Sequence, residues 1–441
     1  MKPYSLPRVL VISAGPVSEQ LTGVAIRAVE LARALAPHAE VTVAGVTPSS
    51  SCHGLSVISY ELFGERRKHA LAAHIAQADF IVAQPPWPVV ARWLRHARGR
   101  LIYDLYDPEP FEIIELLRDR HPLLRRLVYT LTTDRVLDAM ACADHIMCAS
   151  EKQRDLWIGA LLAERRIVPR LYDRDPTLRE LIDCVPFGLP NAPPEDNGQD
   201  PLRERFPAIA DDDEVVLWNG GIWAWLDARC AIRAIEILGE RRPQAKLVFM
   251  GAATLPAARE AEAQARALAS ELGLLDRQVF FNDGWVSYEQ RAGWLLRSAC
   301  VISTHTDHLE TRFAFRTRML DALWATLPIV CTEGDDLADR VARENLGVAV
   351  PPADPTAVAS ALEQVLVNGR EHYRQQLLAA AAEQTWSRVA APLVSWVSDP
   401  AMYSSSLERG HVRGAQRLRS SAFDLVLSTL GRLGISRLPS L

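Results

Sequence analysis

The sequence predicts two doubly wound α/β domains, each built on a parallel sheet. Three observations indicate this: short apolar runs alternate with helical patterns, the alternation breaks once, and it then starts again. The break, at residues 186–201, is rich in Pro, Asn, Asp and Gly and is typical of an inter-domain linker. We therefore place Rossmann-like domains at 1–190 and 206–385, a linker at 191–205, and a C-terminal helical segment with a tail at 386–441.

The first half contains five apolar runs of strand length. They are Val9–Ser13, Val41–Val46, Phe80–Ala83, Leu101–Leu105 and Ile146–Ala149. Helical patterns lie between them, for example at Gly23–Ala36 and Arg126–Ala141. This alternation favours a parallel sheet covered by helices.

The second half repeats the alternation. Its strand candidates are Val215–Trp218, Leu247–Met250, Val279–Phe281, Val301–Thr304, Ile329–Thr332 and Val348–Val350. Its helix candidates are Ala228–Leu238, Ala257–Leu272, Thr317–Thr326 and Thr356–Val367. Folds of this kind bind ligands beyond the carboxyl ends of their strands, so we expect the site in the loops that follow these strands.

Composition excludes several classes of function. The formal charge of −5 does not favour a nucleic-acid partner. The seven cysteines include no C-x-x-C pair and mostly lie in apolar runs, which favours buried, reduced thiols over disulfides or metal ligands. The chain shows no signal-sequence pattern and no apolar segment of about 18 residues, so we expect a cytoplasmic protein.

Residues 310–330 are the most informative stretch, because charged and hydroxyl side chains there lead into an apolar helix and then a strand. The start of a helix favours anions through its free N–H groups and macrodipole. Three arginines add positive charge there: Arg312, Arg316 and Arg318. Glu310 and Asp321 flank them and can hold sugar hydroxyls, which indicates a nucleotide-sugar site. A solvated helix start with surface arginines is the alternative interpretation.

A second candidate loop follows the strand that ends at Trp218. Gly220 and Gly221 form a tight turn in which the backbone can approach a phosphate closely. Trp223 and Trp225 come next and are either core residues or a wall of the ligand site.

The N-terminal half offers weaker signals. Gly15 and Gly23 surround the first strand-to-helix turn, although Gly23 also fits an ordinary glycine at a helix boundary. Asp104 ends a strand on the same side of the sheet and is a candidate for acceptor binding or proton transfer. For Asp107, which precedes a proline, a role in building a turn is at least as well supported.

The chain resembles the retaining glycosyltransferases of GT-B fold, in particular glycosyltransferase family four, the group that includes glycogen and sucrose synthases. The resemblance runs to about Trp396 and is carried by three blocks, Arg8–Gly23, Phe281–Gln290 and Glu310–Gly334, the last echoed at Leu346–Asp354. It implies two Rossmann-like domains facing across a cleft. It also implies a nucleoside diphosphate sugar as donor, retention of anomeric configuration, and neither a metal nor a cofactor.

The resemblance also assigns roles within the third block. Asp321 falls at the family's second conserved carboxylate, which binds ribose, and Phe313 falls where the first would stand. Glu310, one turn away, is then the candidate for contacting the donor sugar, with Asp307 and His308 as neighbours on the same loop. Capping of the helix is the alternative role for Glu310.

Two other positions follow from the same resemblance. The family's base-contacting loop corresponds to Gly284–Ser287, which contains Trp285 and Val286, with a core position as the alternative for Trp285. The basic pair that commonly follows the first strand of this domain is missing, so the diphosphate charge falls to Arg312, Arg316 or Arg318.

Two rival functions stay open on the sequence. A nucleotide-sugar epimerase shares the fold, and a non-catalytic nucleotide-sugar-binding subunit would explain the missing basic pair and first carboxylate. The acceptor, whether polysaccharide, lipid-linked or small molecule, is not determined.

The tail from Ala401 carries six arginines against Glu408 and Asp424. It also has an apolar stripe at helical spacing: Phe423, Val426, Leu427, Leu430 and Leu433. Such a tail either packs against protein or lies peripherally on the inner face of an anionic membrane. In the second case it would serve a lipid-linked or membrane-near acceptor.

Overall fold

The computed structural model describes residues 6–19, 21–51, 54–61, 68–251, 256–284, 286–288 and 290–399. The described chain divides into two compact units. The first contains the chain up to Phe187 and takes it up again from Trp386, and the second runs from Gly188 to Thr385. The basic tail lies outside the described residues.

The first unit is built on a seven-stranded parallel sheet in the order β3-β2-β1-β4-β5-β6-β7. Its strands are β1 Arg8–Ile12, β2 Glu40–Val46, β3 Ser56–Tyr60, β4 Phe80–Ala83, β5 Arg100–Asp104, β6 His145–Cys148 and β7 Ile182–Cys184. The order reverses between β1 and β4. Because loops diverge at such a point, it creates a crevice at the carboxyl edge of the sheet.

Helices connect these strands on the two faces of the sheet. They are α1 Gly23–Leu35, α2 Lys68–Gln77, α3 Pro88–Leu94, α4 Glu109–Leu116, α5 Pro122–Cys142, α6 Glu151–Ala163 and α7 Pro169–Arg174. The central strands are buried along their length, as an apolar run covered on both faces requires.

The second unit is a six-stranded parallel sheet in the order β10-β9-β8-β11-β12-β13. Its strands are β8 Glu214–Trp218, β9 Ala245–Phe249, β10 Val279–Phe281, β11 Cys300–Ser303, β12 Ile329–Thr332 and β13 Gly347–Val350. Here the order reverses between β8 and β11, so the loops after these two strands border the crevice.

The helices of the second unit follow the same pattern. They are α8 Pro201–Arg205, α9 Ala228–Gly239, α10 Pro256–Glu271, α11 Arg291–Leu296, α12 Leu309–Phe313, α13 Thr317–Trp324, α14 Asp336–Glu344 and α15 Pro355–Glu383. Gly369 (φ 72°) interrupts α15 with non-helical backbone. Each unit is thus a doubly wound parallel-sheet domain, which confirms the predicted α/β fold class.

The chain returns to the first unit through α16 Trp386–Val389 and α17 Ala391–Ser398. Trp386 packs against Phe187, with ring centroids 5.0 Å apart. Trp396 packs edge-on to Phe80 and stacks on His145 with centroids 4.9 Å apart. Two tryptophans therefore join the last described helices to the core of the first unit.

His145 is buried beneath Trp396 in an environment that favours the neutral ring. Its Nδ1 donates to the carbonyl of Glu180 at 3.0 Å, and its Nε2 is buried with no partner among the described residues. Burial lowers the pKa of His145 to about 4, because a proton on Nε2 would place a charge where nothing can accept its hydrogen bond.

We expect the stability of the protein to fall as pH decreases from about 6.5 toward 4, with His145 contributing up to about 3 kcal/mol. The unfolded chain binds a proton on this histidine in that window while the folded chain does not, so acid favours unfolding. Urea unfolding of His145→Gln at pH 7 and pH 4.5 checks this, with exposed His38→Gln as the control. A His145→Gln variant as acid-sensitive as the control would contradict it.

Candidate functional site

The carboxyl edge of the second unit carries a tight glycine turn directly after β8. Gly220 adopts φ +134°, a conformation that side chains rarely tolerate. Gly251, after β9, packs behind it so closely that a Cβ there would lie 2.4 Å from the carbonyl carbon of Gly220. The turn is therefore fixed, and the Arg318 guanidinium lies near Gly220, 3.6 Å from where a Cβ would stand.

Trp223 and Trp225 follow this turn as a stacked pair. Their ring centroids lie 5.2 Å apart and the planes are almost parallel, at 6°. Both residues are half-buried. The pair thus keeps part of its aromatic surface accessible beside the Gly220–Gly221 turn, as a ligand wall requires.

The loop after β11 is held to the tryptophan loop through His308. His308 caps α12, because its Nδ1 accepts from the Thr311 amide at 3.2 Å. Its Nε2 therefore carries the proton and donates to the carbonyl of Trp225 at 3.1 Å. Asp227 N to Thr304 O, at 2.9 Å, is a further link between the two loops. The loops that border the crevice are thus fixed relative to each other.

Glu310 and Arg316 form a buried, bidentate ion pair. The two guanidinium nitrogens lie 3.0 and 2.7 Å from the two carboxylate oxygens. Arg316 also lies 3.7 Å from the carboxylate of Asp335, whose other oxygen caps α14, and His305 lies 3.5 Å from that same carboxylate. Arg316 thus sits between two buried acids, which places Glu310 and Arg316 in one electrostatic network beneath the loop.

Arg318 points the other way, toward the glycine turn. Its Nη2 donates to the carbonyl of Gly221 at 3.1 Å, and its guanidinium lies 5.3 Å from the centre of the Trp218 ring. Its Nη1 is buried and has no partner among the described residues. Burial, and then the charge of Arg316, lower the pKa of Arg318 to about 9. Among the residues that the structure describes, Arg318 forms no ion pair, and Glu310 attracts it only from a distance, so a bound anion would stabilise its guanidinium.

Unsatisfied buried polar atoms are concentrated at this edge. Those near the crevice with no hydrogen-bond partner in the described chain are Asn219 Oδ1, Ser303 Oγ, both ring nitrogens of His305, Arg316 Nε, Arg318 Nη1 and Asp335 Oδ2. Because buried polar groups are nearly always hydrogen-bonded, such a concentration indicates a place where a ligand or water supplies the missing bonds.

Asp321 lies on α13 and is already partly engaged. Arg291 Nε donates to its Oδ1 at 2.9 Å, and Asn219 Nδ2 approaches its Oδ2 at 3.4 Å. The Arg291 guanidinium lies over the rings of Tyr288 and Trp324, at 3.4 and 4.3 Å from their centres. Arg291 and Asn219 thus fix the orientation of the Asp321 carboxylate. Its side chain stays 22% exposed and is accessible to a ligand.

The remaining predicted residues of this unit lie at the margins. Arg312 is exposed at the end of α12, with its guanidinium 5.6 Å from the ring centre of half-buried Phe313. Val286 lines a cavity of about 530 Å³ beyond β10, together with Asn282 and Gly284. Trp285 lies outside the described residues. The structure therefore brings Gly220, Gly221, Trp223, Trp225, His308, Glu310, Arg316, Arg318 and Asp321 together, and it leaves Arg312 and Val286 apart.

In the first unit, Asp104 is bound by Arg27 of α1. Nε and Nη2 of Arg27 donate to its two oxygens at 2.6 and 2.7 Å, and both side chains are buried. The same guanidinium donates to the carbonyls of Val185 and Pro186. This arrangement makes Asp104 a tether for α1, and the proposed role in proton transfer would require the pair to open.

The two predicted glycines of this unit differ in their surroundings. A Cβ at Gly15 would lie 3.1 Å from the Val24 side chain, so the turn after β1 packs against the start of α1. Gly23 opens α1 and has free space where a Cβ would stand. The close packing of the backbone against Val24 therefore explains a glycine at position 15, but no such contact explains the glycine at position 23.

Asp107 is one of several acidic residues in the crevice of the first unit. It borders a cavity of about 190 Å³ that Gln84, Glu112 and Arg135 also line. Burial raises the pKa of Asp107 to about 7, and nearby Glu109 adds to this increase. The Asp-Pro turn pattern in the sequence did not indicate this buried environment.

Several contributors to these sites are invisible in the sequence pattern. Arg291, Asn219 and Asp335 meet Asp321 or Arg316 only in the folded chain, across sequence separations of up to 102 residues. A partial signal exists for Asp335, since Asp before a helix start is typical of an N-cap. Within the described residues, no three His, Cys, Asp or Glu side chains are grouped to hold a metal ion.

Residues 213–368 match the profile of the family described as glycosyl transferases group 1. The match covers 156 of the chain's 441 residues, and all of it lies within the second unit. All of the clustered site residues, from Gly220 to Asp321, lie within this matched segment. No curated protein sequence matches the chain significantly.

Several solved structures resemble the chain over most of its length. Sucrose-phosphate synthase from Thermosynechococcus elongatus is 16% identical, with 88% of this chain and 97% of that chain covered and a TM-score of 0.56. Anabaena HepE, in complex with UDP-glucose, is 14% identical, with coverage of 98% and 100% and a TM-score of 0.58. The α,α-trehalose 6-phosphate synthase from Burkholderia multivorans is 13% identical, with coverage of 91% and 100% and a TM-score of 0.63. At these identities the likeness establishes the fold, which is GT-B.

No described helix is both long enough and apolar enough to cross a membrane.

Proposed function

We propose that the protein transfers a sugar from a nucleoside diphosphate sugar to an acceptor hydroxyl, with retention of anomeric configuration and without a metal or cofactor. The observation that carries the proposal is the buried, unpartnered guanidinium nitrogen of Arg318 beside the Gly220–Gly221 turn. This arrangement lies within the glycosyltransferase group 1 segment, and UDP-glucose is bound in the solved structure of HepE.

The diphosphate is the part of the donor that fits this position. Its negative charge would compensate Arg318, and its oxygens would accept the second guanidinium hydrogen bond that the described chain leaves unmade. The glycine turn lets the backbone come close to phosphate oxygens without a side chain in the way. The leaving diphosphate would therefore be stabilised by a charge that is fixed before the reaction begins.

Asp321→Ala is expected to weaken donor binding by about 1.5–3 kcal/mol, because the carboxylate would accept hydrogen bonds from ribose hydroxyls. Calorimetry with the nucleoside diphosphate measures the loss. Glu363→Ala, which removes a half-exposed carboxylate of the same unit, is the matched control. Equal donor affinity in Asp321→Ala and parent would remove Asp321 from the site.

Retention is proposed from the resemblance to family four, in which a donor phosphate oxygen takes the proton of the acceptor. The glycosidic bond to the diphosphate breaks, the acceptor oxygen bonds to the anomeric carbon on the same face, and the acceptor proton passes to the departing diphosphate. Proposed acceptor contacts lie in the first unit, at the cavity beside Asp107.

A thermal-shift screen of the full chain with UDP, GDP and ADP, followed by transfer assays with the matching nucleotide sugars, tests the function. A nucleotide at 100 times its dissociation constant should stabilise the protein by about 2.7 kcal/mol. NMR of the product anomer then decides between retention and inversion. Failure of all nucleoside diphosphates to stabilise the protein would overturn the proposal.

One observation favours a binding-only subunit as the second candidate. Three candidate acids of the site are paired with arginines: Asp104 with Arg27, Glu310 with Arg316, and Asp321 with Arg291. Donor binding without transfer or hydrolysis would support this candidate. Interconversion of the free nucleotide sugar without an acceptor would instead support an epimerase.

A further inference from the structure

The N-terminal half of α5 presents three leucines to solvent. Leu123, Leu127 and Leu124 are 72%, 57% and 37% exposed. Leu123 and Leu127 lie one turn apart on the helix, and Leu124 lies beside them. Single exposed leucines are ordinary on a protein surface, but three adjacent leucines form an apolar patch of the kind that binds a partner.

Arginines border this patch, which we call the α5 leucine patch. At about 100° per residue, Arg126 lies on one side of the three leucines and Arg125 on the other. Neither forms an ion pair within the described part of the chain. Between residues 115 and 129 the sequence has four arginines against Glu115 and Asp119, a formal excess of two positive charges, and Glu115 pairs with Arg118.

The other half of α5 is fixed in the unit. From Thr132 onward the helix buries Val136, Ala139 and Met140, and Asp138 pairs with Arg95 of the segment after α3. The α5 leucine patch therefore extends from a rigid base, and its side chains do not need a folding step before they can contact a partner.

We propose that the α5 leucine patch docks the protein on an anionic lipid surface. The leucines would enter the boundary between headgroups and acyl chains, while Arg125 and Arg126 pair with lipid phosphates. The charge decides among occupants: a second copy would bring the same positive excess against this one, whereas an anionic surface complements it. This membrane contact differs from the contact considered for the C-terminal tail, because it uses residues of the first unit.

Co-sedimentation of the full chain with vesicles tests the proposal. The parent should bind phosphatidylglycerol–phosphatidylcholine vesicles, bind pure phosphatidylcholine vesicles much less, and release as salt is raised. Leu123→Ser/Leu127→Ser should lower partitioning by at least about tenfold, because two apolar side chains no longer leave water. Leu162→Ser, an equally exposed leucine on α6, should bind like the parent.

Arg125→Gln/Arg126→Gln should weaken binding to anionic vesicles and flatten its salt dependence, with the leucines intact. The tail is present in all these variants, so binding that persists unchanged in Leu123→Ser/Leu127→Ser would overturn the proposal. A parent that binds neither vesicle would overturn it as well. If light scattering then shows a parent dimer that the leucine variant converts to a monomer, the patch would belong to self-association instead.

Discussion

Replacing Arg318 by alanine is expected to lower the rate of sugar transfer by about 10²–10³-fold, the usual loss when a preorganised charge donor is removed. Arg318 places one guanidinium nitrogen on the carbonyl of Gly221 and leaves another buried and unpaired beside the same turn. The departing diphosphate gains charge as the glycosidic bond breaks, so the loss should appear in kcat more than in KM.

Arg318→Lys should rescue poorly, because a lysine cannot hold Gly221 and a phosphate oxygen at once with a planar fork. Arg233→Ala, on the exposed face of α9, is the matched control and should transfer at the parent rate. Initial rates at saturating and limiting donor separate kcat from KM. A parent-like rate in Arg318→Ala would show that the diphosphate binds elsewhere.

Arg316→Met is expected to destabilise the fold by about 3–5 kcal/mol, since breaking a buried pair strands a charge away from water. Its loss would leave Glu310 without its bidentate partner and Asp335 without its nearest cation. Arg316 is only two residues from Arg318. Even so, Arg316→Met should mainly lose stability, whereas Arg318→Ala should mainly lose transfer rate.

Urea unfolding of Arg316→Met, Glu310→Gln and the double variant measures the pair as a coupling energy. The double variant should regain part of the lost stability, because neither charge is then stranded. Arg241→Met is the control, because its half-exposed pair with Glu363 should contribute at most about 1 kcal/mol. If Arg316→Met kept the parent stability but lost most of its transfer activity, Arg316 would act in the reaction and not in stabilising the fold.

The strands that the sequence predicts best are those buried on both faces. Phe80–Ala83, Val279–Phe281 and Ile329–Thr332 match the observed bounds because a continuous apolar run ends where burial ends. The strand β3 was not predicted, because it lies at the sheet edge with only Tyr60 fully buried. The strand β7 was not predicted, because Asp183 interrupts its apolar run and only Ile182 is fully buried.

The site divides along similar lines. Turns and helix starts are local, so Gly220 and the arginines around Thr317 are visible in the linear pattern. Ion pairs are not local: Arg27 and Asp104 are separated by 77 residues, and Arg291 and Asp321 by 30. Only the fold distinguishes Arg318, which faces a turn with a free guanidinium nitrogen, from Arg316, which is committed to Glu310.

The return of the chain at Trp386 sets an order for events on the ribosome. Every strand of the second unit is synthesised before Trp386 and Trp396, so that unit can complete its core while translation continues. The first unit emerges earlier but finishes later, because Phe80, His145 and Phe187 obtain their tryptophan partners only from α16 and α17. The first unit is thus synthesised first but completes its core last. Until α16 and α17 emerge, the exposed aromatic surface around Phe80 and Phe187 is available for a chaperone to bind on the nascent chain.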